Sequence, residues 1–391
     1  MAVAICMVLG AWAVVYAKAE TKESGAGAIV TSTTVDGAAA TTAAVAETAI
    51  FQKADLFSER DLLQVADLSK ATTYTVSDSE DITITAAGVY VLTGSAKNVT
   101  VTVEANKDDK VQLVLDGLAV TNGDTPAIYV KSADKVFVTT SADSSLSVTG
   151  AFAADGDAKV DGVIFSKSDL TLNGTATLTI SSTKNGIVGK DDVKITGGTY
   201  AISAKVKAIE ANDSIRIADG TLDLTAGTDG LHAENDEDDS KGYIYIGGGS
   251  VTVNAGDDGI HAATVVQVDD GTVAVTAAEG IEGTYVQLNG GTVTVSARDD
   301  GINAAQKSSS YRATVEVNGG DITVSMGSGD TDGVDSNGDI IVNGGTIAVT
   351  GNSTFGYDGT GQLNGGTVIV NGQQVTSLPD QFGGNGGRGG H

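Results

Sequence analysis

The stretch Asp257–Asp335 repeats a four-residue phrase in which an acid and a glycine precede an aliphatic residue and a polar one. The phrase reads DGIH at 258–261, EGIE at 279–282, DGIN at 300–303 and DGVD at 332–335, and upstream it reads DGLH at 229–232. Glu279 lies 21 residues after Asp258, and Asp300 lies 21 residues after Glu279. A fixed period of this length predicts a solenoid, whose units bury their apolar faces only by stacking on their neighbours.

A second phrase ends in Gly-Gly-Thr or Asp-Gly-Thr, at residues 195–199, 268–272, 288–292, 342–346 and 363–367. Beyond it, apolar and polar residues alternate strictly over residues 292–296, which is the period of a strand and not of a helix. Each unit carries two or three short runs of this kind, separated by Gly, Asp or Asn. Stacking such units predicts an all-β fold, a parallel β-helix.

Four segments divide the chain. Residues 1–19 hold an apolar run that ends in Ala-Lys-Ala, which is typical of a cleaved signal peptide and predicts a secreted or cell-surface protein. The run is shorter than the roughly 20 apolar residues of a membrane span, although a retained anchor stays the alternative. Residues 20–50 indicate a flexible linker, residues 51–378 the β-helix and residues 379–391 a disordered Gly-rich tail. The single cysteine, Cys6, lies in the signal segment, so no disulfide framework is expected.

Residues 53–68 break the strand pattern, with leucines and a valine at roughly helical spacing and with Ser58 and Glu59 placed to begin a helix. The end of a β-helix exposes unpaired strand edges, which invite aggregation. We therefore expect a short amphipathic helix that caps the N-terminal end of the solenoid. The rest of the solenoid, at about 21 residues per coil, predicts roughly 14 coils spaced about 4.8 Å apart.

The chain is strongly acidic, with 50 Asp and Glu against 23 Lys and Arg and a net charge of −27. This balance argues against nucleic acid as a partner, because phosphate binding requires a basic surface. Stacking places the acids in two columns, about 4.8 Å apart from coil to coil, where uncompensated like charges repel. The first column is Asp229, Asp258, Glu279, Asp300 and Asp332, and the second is Glu210, His232, His261, Glu282, Asn303 and Asp335.

Oxygen ligands grouped in this way favour calcium, which takes about six to eight oxygens. The predicted ligands are Glu210, Asp229, Asp257, Asp258, Glu279, Glu282, Asp299, Asp300, Asn303, Asp332 and Asp335. Two alternatives stay open. The Asp-Gly pairs could supply only turns with positive φ. The two histidines could indicate zinc, although their carboxylate-rich surroundings favour calcium.

Two units are lengthened at the same corner, by residues 234–241 and by residues 305–312. Insertions of this kind map to loops on one face of a solenoid, often its binding face. The loops are expected three coils apart, roughly 14 Å, as the walls of a groove whose floor carries the acidic columns. The alternative is that both are idle surface loops.

A family resemblance rests on five segments, residues 192–200, 208–217, 229–245, 279–286 and 332–338. They resemble a bacterial family of secreted parallel β-helix proteins, the carbohydrate-binding domain-containing proteins. The similarity runs from about Leu56 to the Gly-rich tail. The resemblance implies a right-handed, pectate-lyase-like solenoid that carries several calcium ions and binds polygalacturonate and also cellulose. The chain departs from the family pattern at its Lys-Val-Lys run, residues 205–207, which argues against a metal site between the coils of Glu210 and Asp229.

The residues and the resemblance together predict a calcium-dependent polysaccharide-binding protein that acts as a monomer. Calcium on the acidic columns would bridge the protein to the carboxylates of an acidic plant cell-wall glycan such as polygalacturonate. The predicted sugar contacts are four tyrosines and two basic residues in or near the loops: Tyr243, Tyr245, Tyr285, Lys307, Tyr311 and Arg312.

Two other functions stay open. A calcium-dependent polysaccharide lyase needs a Lys or Arg base beside the uronate carboxylate. The basic residues near enough in sequence are Lys241, Arg298, Lys307 and Arg312, but none lies in a recognisable catalytic motif, so no catalytic residue is assigned. A passive surface rod or adhesin would use metal for stability and would retain no glycan.

Overall fold

The computed structural model describes residues 49–156, 158–328 and 331–379. The predicted signal peptide, nearly all of the predicted linker and the predicted Gly-rich tail beyond residue 379 lie outside these residues. Within the described ranges, no helix is long and apolar enough to cross a membrane.

One short helix and a long series of strands make up the described chain. Helix α1 spans Lys53–Leu56. The strands of the N-terminal part are β1 (Thr72–Thr75), β2 (Ile82–Ile84), β3 (Gly88–Lys97), β4 (Val101–Glu104), β5 (Lys110–Asn122), β6 (Ile128–Ser132), β7 (Lys135–Ala142), β8 (Ser144–Val148), β9 (Gly162–Ser166), β10 (Asp169–Gly174), β11 (Thr177–Ser182) and β12 (Asn185–Gly189). Those of the central part are β13 (Asp192–Ile195), β14 (Thr199–Ala204), β15 (Ile209–Ala211), β16 (Ser214–Ile217), β17 (Thr221–Ala226), β18 (Leu231–Ala233), β19 (Tyr243–Ala255), β20 (Asp258–Ala262), β21 (Val265–Ala277), β22 (Glu279–Gly283), β23 (Tyr285–Leu288) and β24 (Thr292–Ala297). The C-terminal part holds β25 (Ile302–Ala304), β26 (Thr314–Val317), β27 (Asp321–Met326), β28 (Asp332–Ser336), β29 (Asp339–Val342), β30 (Thr346–Thr350), β31 (Ser353–Tyr357), β32 (Gly361–Leu363), β33 (Thr367–Val370) and β34 (Gln373–Val375).

The coils stack so that equivalent strands pair in parallel. Strand β13, for example, pairs in parallel with β16, and β16 pairs in parallel with β19. Two strand runs of each coil belong to one 22-stranded sheet, because long strands such as β19 continue through the corner between them. The third run forms a 12-stranded sheet. The described chain is therefore all-β, with parallel strands stacked coil on coil.

Each coil contributes one strand to the smaller sheet. Its 12 strands therefore indicate 12 coils in the described chain, fewer than the roughly 14 expected. The expected number was too high because several coils are longer than the central repeat. Ile128 pairs with Ile164, and Ile302 pairs with Val334, so each of these coils includes a long connection between its strands.

The interior is a stack of aliphatic columns, as the strand alternation predicts. Leu172, Ile195 and Ile217 pair in successive coils, and each is 0% exposed. Each such side chain contributes about 1.5–3 kcal/mol when buried, so the stack of coils supplies the stability that a single coil lacks.

The Gly-Gly-Thr phrase forms a corner between two strand runs. Its second glycine has a positive φ, for example +75° at Gly291, in a backbone region that favours glycine. The preceding asparagines stack along the solenoid: Asn318 Nδ2 donates to Asn289 Oδ1 at 2.9 Å, and Asn343 Nδ2 donates to Asn318 Oδ1 at 2.8 Å. The phrase therefore supplies both a turn and a ladder of amide hydrogen bonds.

Residues 49–71 do not form the predicted cap over the end of the solenoid. Only α1 is helical, and the segment instead crosses the outer surface of strands β7, β10, β13, β16, β19, β21 and β23. We call this segment the strap and the surface beneath it the strap face. Near one end, the Phe51 amide donates to Gln267 Oε1 at 2.8 Å, and near the other, Gln64 Nε2 donates to the Thr196 carbonyl at 2.8 Å.

The leucine spacing of the strap suggested a helix, but those leucines do not share one buried side. Leu56 and Phe57 pack against Tyr245, whereas Leu62 and Leu63 are 46% and 58% exposed. The strap is held instead by single anchoring side chains, some of which contact strand side chains, as Asp61 does, and some of which donate to backbone carbonyls, as Lys53 and Gln64 do.

Asp61 is the most deeply buried of these anchors, with a side chain that is 0% exposed. Its carboxylate lies 3.2 Å from Lys135 Nζ and 3.4 Å from Lys194 Nζ, and it accepts a hydrogen bond from Thr171 Oγ1 at 3.1 Å. Burial by itself would raise the pKa of Asp61. The hydrogen bond from the Ser58 amide and the two lysines outweigh burial and hold that pKa well below its usual value.

Candidate functional site

The two predicted columns are present on the outer surface of the 12-stranded sheet, which we call the ladder face. Asp258 pairs with Glu279, and the Gly280 amide donates to the Asp300 carbonyl at 2.8 Å, which continues the first column. The second column runs in register through Glu210, His232, His261, Glu282, Asn303 and Asp335. The columns are confirmed as geometry, and their role as metal ligands stays a prediction.

The glycines of the acid-glycine phrases do not form the positive-φ turns that the sequence analysis considered as an alternative. Gly259, Gly280 and Gly301 are absent from the residues with positive φ. A Cβ atom on Gly280 would lie 2.2 Å from the Gly301 carbonyl oxygen and 2.3 Å from Val295 Cγ1. These glycines are therefore required by close stacking of backbone between coils, and a positive-φ turn does not explain the repeated phrase.

Glu279 lies at the centre of the acidic crowding. Its Oε2 atom is buried and has no hydrogen-bond partner. Burial, followed by the negative charges of Glu282 and Asp258, raises the pKa of Glu279 to about 7. Burial and the charges of Asp299 and its neighbours also raise the pKa of Asp300 to about 6. The carboxylates of Glu279 and Asp300 are thus crowded by like charges at the middle of the ladder face.

Lys307, from the second inserted loop, reaches the ladder face. Its Nζ atom lies 3.1 Å from Glu282 Oε2. Burial would lower the pKa of Lys307, but the charge of Glu282 outweighs burial and raises it. The sequence assigned Lys307 to sugar contact, and the structure places it as a partial counter-charge to the second column.

Two histidines occupy the second column next to each other. The rings of His232 and His261 are stacked, with centroids 4.6 Å apart and planes 12° apart. His261 Nδ1 lies 2.7 Å from Asp258 Oδ2 and 2.8 Å from Glu282 Oε2. Burial opposes a charge on His261, but these two carboxylates raise its pKa to about 9. Two predicted calcium ligands, Asp258 and Glu282, therefore already share a histidine.

Lysines occupy the upstream part of the columns. Lys190 Nζ lies 3.6 Å from Glu210 Oε1, and Lys207 Nζ lies 3.8 Å from Asp229 Oδ2. Asp229 also lies 2.9 Å from His232 Nδ1. Lys207 of the Lys-Val-Lys run therefore lies beside Asp229, and the expectation of no calcium between the coils of Glu210 and Asp229 stays a prediction.

At the C-terminal end of the columns, residues of the last coils contact Asp332 and Asp335. Asp332 accepts a short hydrogen bond from Ser353 Oγ, and its own amide donates to Asp300 Oδ1 at 3.2 Å. The backbone of Gly356 lies beside Asp332 and Asp335, where a Cβ would come within 2.6 Å of the Asp335 Oδ1 atom. Asp335 and Asp332 are thus brought together, while Asp257 and Asp299 precede the phrases and flank the crowded centre.

The two inserted loops contact each other and do not form separate walls of a groove. Ser309 Oγ donates to Asp239 Oδ2 at 2.6 Å, and Ser308 Oγ donates to the Asp239 carbonyl at 2.8 Å. The predicted open groove between the loops is therefore wrong. Side-chain hydrogen bonds join them over the corner between the ladder face and the strap face.

A cavity of about 520 Å³ lies on the N-terminal side of the first loop, and sequence reasoning missed it. Its lining includes Lys190, Asp191, Asp213, His232 and Lys241. Lys241 Nζ lies 2.7 Å from Asp213 Oδ2, and burial with a hydrogen bond to Asp213 raises the pKa of Asp191. No repeated phrase marks Asp191 or Asp213. The available signal was their place just before β13 and β16.

The strap covers two of the four tyrosines proposed to contact sugar. Tyr245 is 0% exposed and donates its hydroxyl to Asp269 Oδ2 at 2.8 Å. Tyr243 stacks on Phe51 of the strap, with ring centroids 4.3 Å apart. The assignment of Tyr245 as a sugar platform is therefore wrong, and the strap occupies one face of the Tyr243 ring.

The remaining proposed sugar contacts lie near the second loop. Tyr285 and Tyr311 meet edge to face at 6.2 Å, and the Tyr285 hydroxyl donates to Glu316 Oε2 at 2.9 Å. Arg312 Nε lies 2.8 Å from Asp339 Oδ2. These residues cluster at the loop corner and not above the acidic columns. Among the predicted sugar contacts, only Lys307 therefore contacts a predicted metal ligand.

Comparison with known proteins shows the following similarities. The family model described as carbohydrate-binding domain-containing protein matches residues 78–330 and 272–376. A carbohydrate-binding domain-containing protein of Acetivibrio thermocellus is 35% identical over 173 residues, which is 43% of this chain and 60% of that protein's length. A gadolinium derivative of the polysaccharide lyase-like protein from C. thermocellum matches with a TM-score of 0.44 and 22% identity, over 76% of this chain and 96% of that one.

The family model spans most of the described solenoid, from the region of β2 to the last strands. Its match includes both acidic columns, the two inserted loops and the strands beneath the strap. The chain therefore belongs to the carbohydrate-binding domain-containing protein family.

Proposed function

We propose that this protein binds polysaccharide on its ladder face, with calcium held by carboxylates of the two columns. The observation that carries the proposal is the buried, unpartnered Oε2 atom of Glu279 among like charges. Family membership supports carbohydrate as the class of ligand. An acidic plant glycan such as polygalacturonate is the ligand we favour, and cellulose is the second.

The residues at the centre of the ladder face fit a hard cation. Calcium takes about six to eight oxygen ligands, and a buried carboxylate oxygen without a donor is a suitable one. Glu279, Asp299 and Asp300, with the amide oxygen of Asn303, would hold the ion. Glu282 is less suited, because its Oε2 atom already contacts His261 and Lys307.

Charge explains why a cation would be needed for an acidic ligand. A chain with a net charge of −27 repels a polyuronate, and the centre of the ladder face adds local repulsion. Bound calcium would supply positive charge shared by protein and sugar carboxylates. Binding should therefore depend on calcium for polygalacturonate and much less for uncharged cellulose.

We expect polygalacturonate oligomers to bind the metal-stripped protein only after calcium is added. Changing Glu279→Gln with Asp300→Asn should weaken the calcium-dependent binding by at least roughly tenfold, which corresponds to about 1.4 kcal/mol. Calorimetric titration with and without calcium measures this, with a cellulose pull-down as the uncharged comparison.

The matched control is Asp321→Asn, because Asp321 is an exposed acid on another sheet. It should leave calcium-dependent binding unchanged. Equal binding by the Glu279 and Asp300 variant and by the control would contradict the proposal. Retention of no glycan at all by a folded protein would favour the passive rod.

A lyase is the second candidate, because the structure brings one of the four considered bases, Lys307, to the ladder face. Lys241, Arg298 and Arg312 are engaged with Asp213, the Gly256 carbonyl and Asp339. The raised pKa of Lys307 keeps it protonated, which is unfavourable for a general base. We expect no absorbing unsaturated product when the calcium-loaded protein is incubated with polygalacturonate. Its appearance, and its loss in Lys307→Ala, would instead establish the lyase.

The proposal also includes the handedness of the solenoid and the location of the protein. We infer right-handed, pectate-lyase-like winding, since connections between parallel strands of one sheet are right-handed in about 98% of cases. We infer that residues 1–19 direct export, so that the protein acts outside the cell or at its surface. We also infer that it acts as a monomer.

A further inference from the structure

The ladder face contains a second group of possible metal ligands, chemically different from the crowded carboxylates. Within the described residues, His232, Glu234 and His261 offer ligand atoms that all lie within 4.8 Å of one another. The two histidines come from the same phrase in adjacent coils, and parallel pairing of β18 with β20 stacks their rings. Glu234 begins the first inserted loop just beyond β18.

Two ring nitrogens of this group, His261 Nε2 and His232 Nδ1, are buried without a hydrogen-bond partner. His261 is only 7% exposed, and its Nε2 atom is buried without a hydrogen-bond partner. The neighbouring His232 is 8% exposed, and its Nε2 atom lies 3.2 Å from Glu234 Oε2. A buried ring nitrogen without a partner costs free energy unless something else binds it.

Carboxylates lie close to the Nδ1 atoms of both rings, although His232 Nδ1, like His261 Nε2, is buried without a hydrogen-bond partner. His261 Nδ1 lies 2.7 Å from Asp258 Oδ2, and His232 Nδ1 lies 2.9 Å from Asp229 Oδ2. Carboxylates on this side of a ring orient metal-binding histidines and leave Nε2 to face the ion. Because a metal binds neutral imidazole, the ion must displace the proton that the raised pKa of His261 keeps on the ring. The acids of the first column therefore act here as positioning groups, which is a different role from the calcium ligation predicted for them.

We propose that His232, His261 and Glu234 form a binding site for a zinc-class transition ion, separate from the calcium site around Glu279. Two imidazoles and one carboxylate suit zinc better than calcium, which prefers oxygen ligands. Three protein ligands leave a fourth tetrahedral position for solvent.

The site needs a modest adjustment to close around an ion. Zn–N bonds of about 2.0–2.1 Å place two nitrogens about 3.3 Å apart in a tetrahedral site. The stacked rings are 4.6 Å apart, so they must tilt toward each other. Glu234 can follow them, because its side chain is 49% exposed and belongs to a loop.

The carboxylate-rich surroundings of the histidines had favoured calcium over zinc, and the structure changes that comparison. The acids are not distributed evenly around the rings: Asp229, Asp258 and Glu282 lie at the Nδ1 atoms. Glu234 is the carboxylate placed at the Nε2 atom of His232. Three carboxylates therefore lie on the Nδ1 side of the stacked rings, whereas the Nε2 side presents the two ring nitrogens and Glu234.

Cobalt titration of the metal-stripped full chain tests the proposal, because Co²⁺ reports tetrahedral nitrogen ligation by visible absorption. We expect one equivalent to bind with tetrahedral bands, to be displaced by Zn²⁺ and to resist excess Ca²⁺. His232→Gln and His261→Gln should each weaken binding by at least roughly tenfold. Asp300→Asn should leave cobalt binding unchanged, so failure here is distinguishable from failure of the calcium proposal.

His391→Gln controls for adventitious binding, because His391 is the third histidine of the chain and lies outside the described residues. Cobalt binding with only octahedral absorption, or binding that survives both ladder substitutions, would overturn the proposal. If the histidine variants do not fold, X-ray absorption of the zinc-loaded wild-type protein decides the question. Two imidazole ligands support the site, and an all-oxygen shell overturns it.

Discussion

Asp61→Asn is expected to release the strap from its face, lowering the free energy of strap opening by about 3–5 kcal/mol. The substitution leaves Lys135 and Lys194 beside each other without the buried carboxylate that lies 3.2 Å and 3.4 Å from them. Removing one partner of a buried ionic group is costly because the remaining charges stay desolvated. Hydrogen exchange at strap amides such as Phe51 measures the local opening.

The matched control is Asp55→Asn, since Asp55 lies on the same strap but is exposed. It should change exchange of the strap amides by less than about 0.5 kcal/mol. Equal protection in the Asp61 variant and in wild type would contradict the prediction and would show that the remaining contacts, such as Phe51 with Tyr243 and Gln64 with Thr196, are sufficient to hold the strap.

The pH dependence of strap opening follows from the sign of the Asp61 shift. The folded-state pKa lies below the unfolded value of 3.8, so the folded protein binds the proton less tightly. The stabilising contribution is therefore fully present above pH 3.8 and is lost as the pH falls toward the folded pKa. After correction for the pH dependence of intrinsic amide exchange, the protection of the strap amides should fall on acidification below pH 3.8 in wild type, and Asp61→Asn should not show this fall.

Gly280→Ala is expected to destabilise the central coils by about 3 kcal/mol. The added methyl would lie 2.2 Å from the Gly301 carbonyl oxygen and 2.3 Å from Val295 Cγ1, so neighbouring coils must separate. Backbone cannot move aside as a flexible side chain can. Urea unfolding followed by far-ultraviolet circular dichroism should show a lower transition midpoint, and exchange of amides in β22 and β25 should accelerate most.

Gly123→Ala is the control for the effect of a methyl group alone. A Cβ on Gly123 would meet Asn98 Oδ1 at 3.7 Å, an ordinary contact, and Gly123 is not among the residues with positive φ. Its stability should stay within about 0.5 kcal/mol of wild type. A similar loss in both variants would mean that stacking distance does not explain the glycine of the repeated phrase.

The columns were predictable because two short-range periods determine them. Strand alternation sends Ile260 inward and His261 outward, and the 21-residue spacing puts Glu282 beside His261 in the next coil. A parallel register in a regular solenoid follows from the repeat itself. The candidate calcium ligands could therefore be grouped correctly, although their side-chain contacts could not.

The observed site differs from the predicted one because of contacts between residues that are far apart in sequence. Tyr245 is covered because the strap binds Gln267, 216 residues beyond Phe51, and no repeated phrase announces that pairing. Asp239 and Ser309 join the two loops across 70 residues. Each contact depends on irregular chain outside the repeat, where periodicity carries no information.

The amino-acid sequence by itself determined the stacked parallel strands, the aliphatic interior and the two acidic columns, because each follows from a repeat that every coil obeys. Only the tertiary structure decided which surfaces are open. The strap covers one face, the joined loops close the expected groove, and the rings of His232 and His261 stack. These outcomes depend on side-chain rotamers and long-range contacts, which the repeat leaves undetermined.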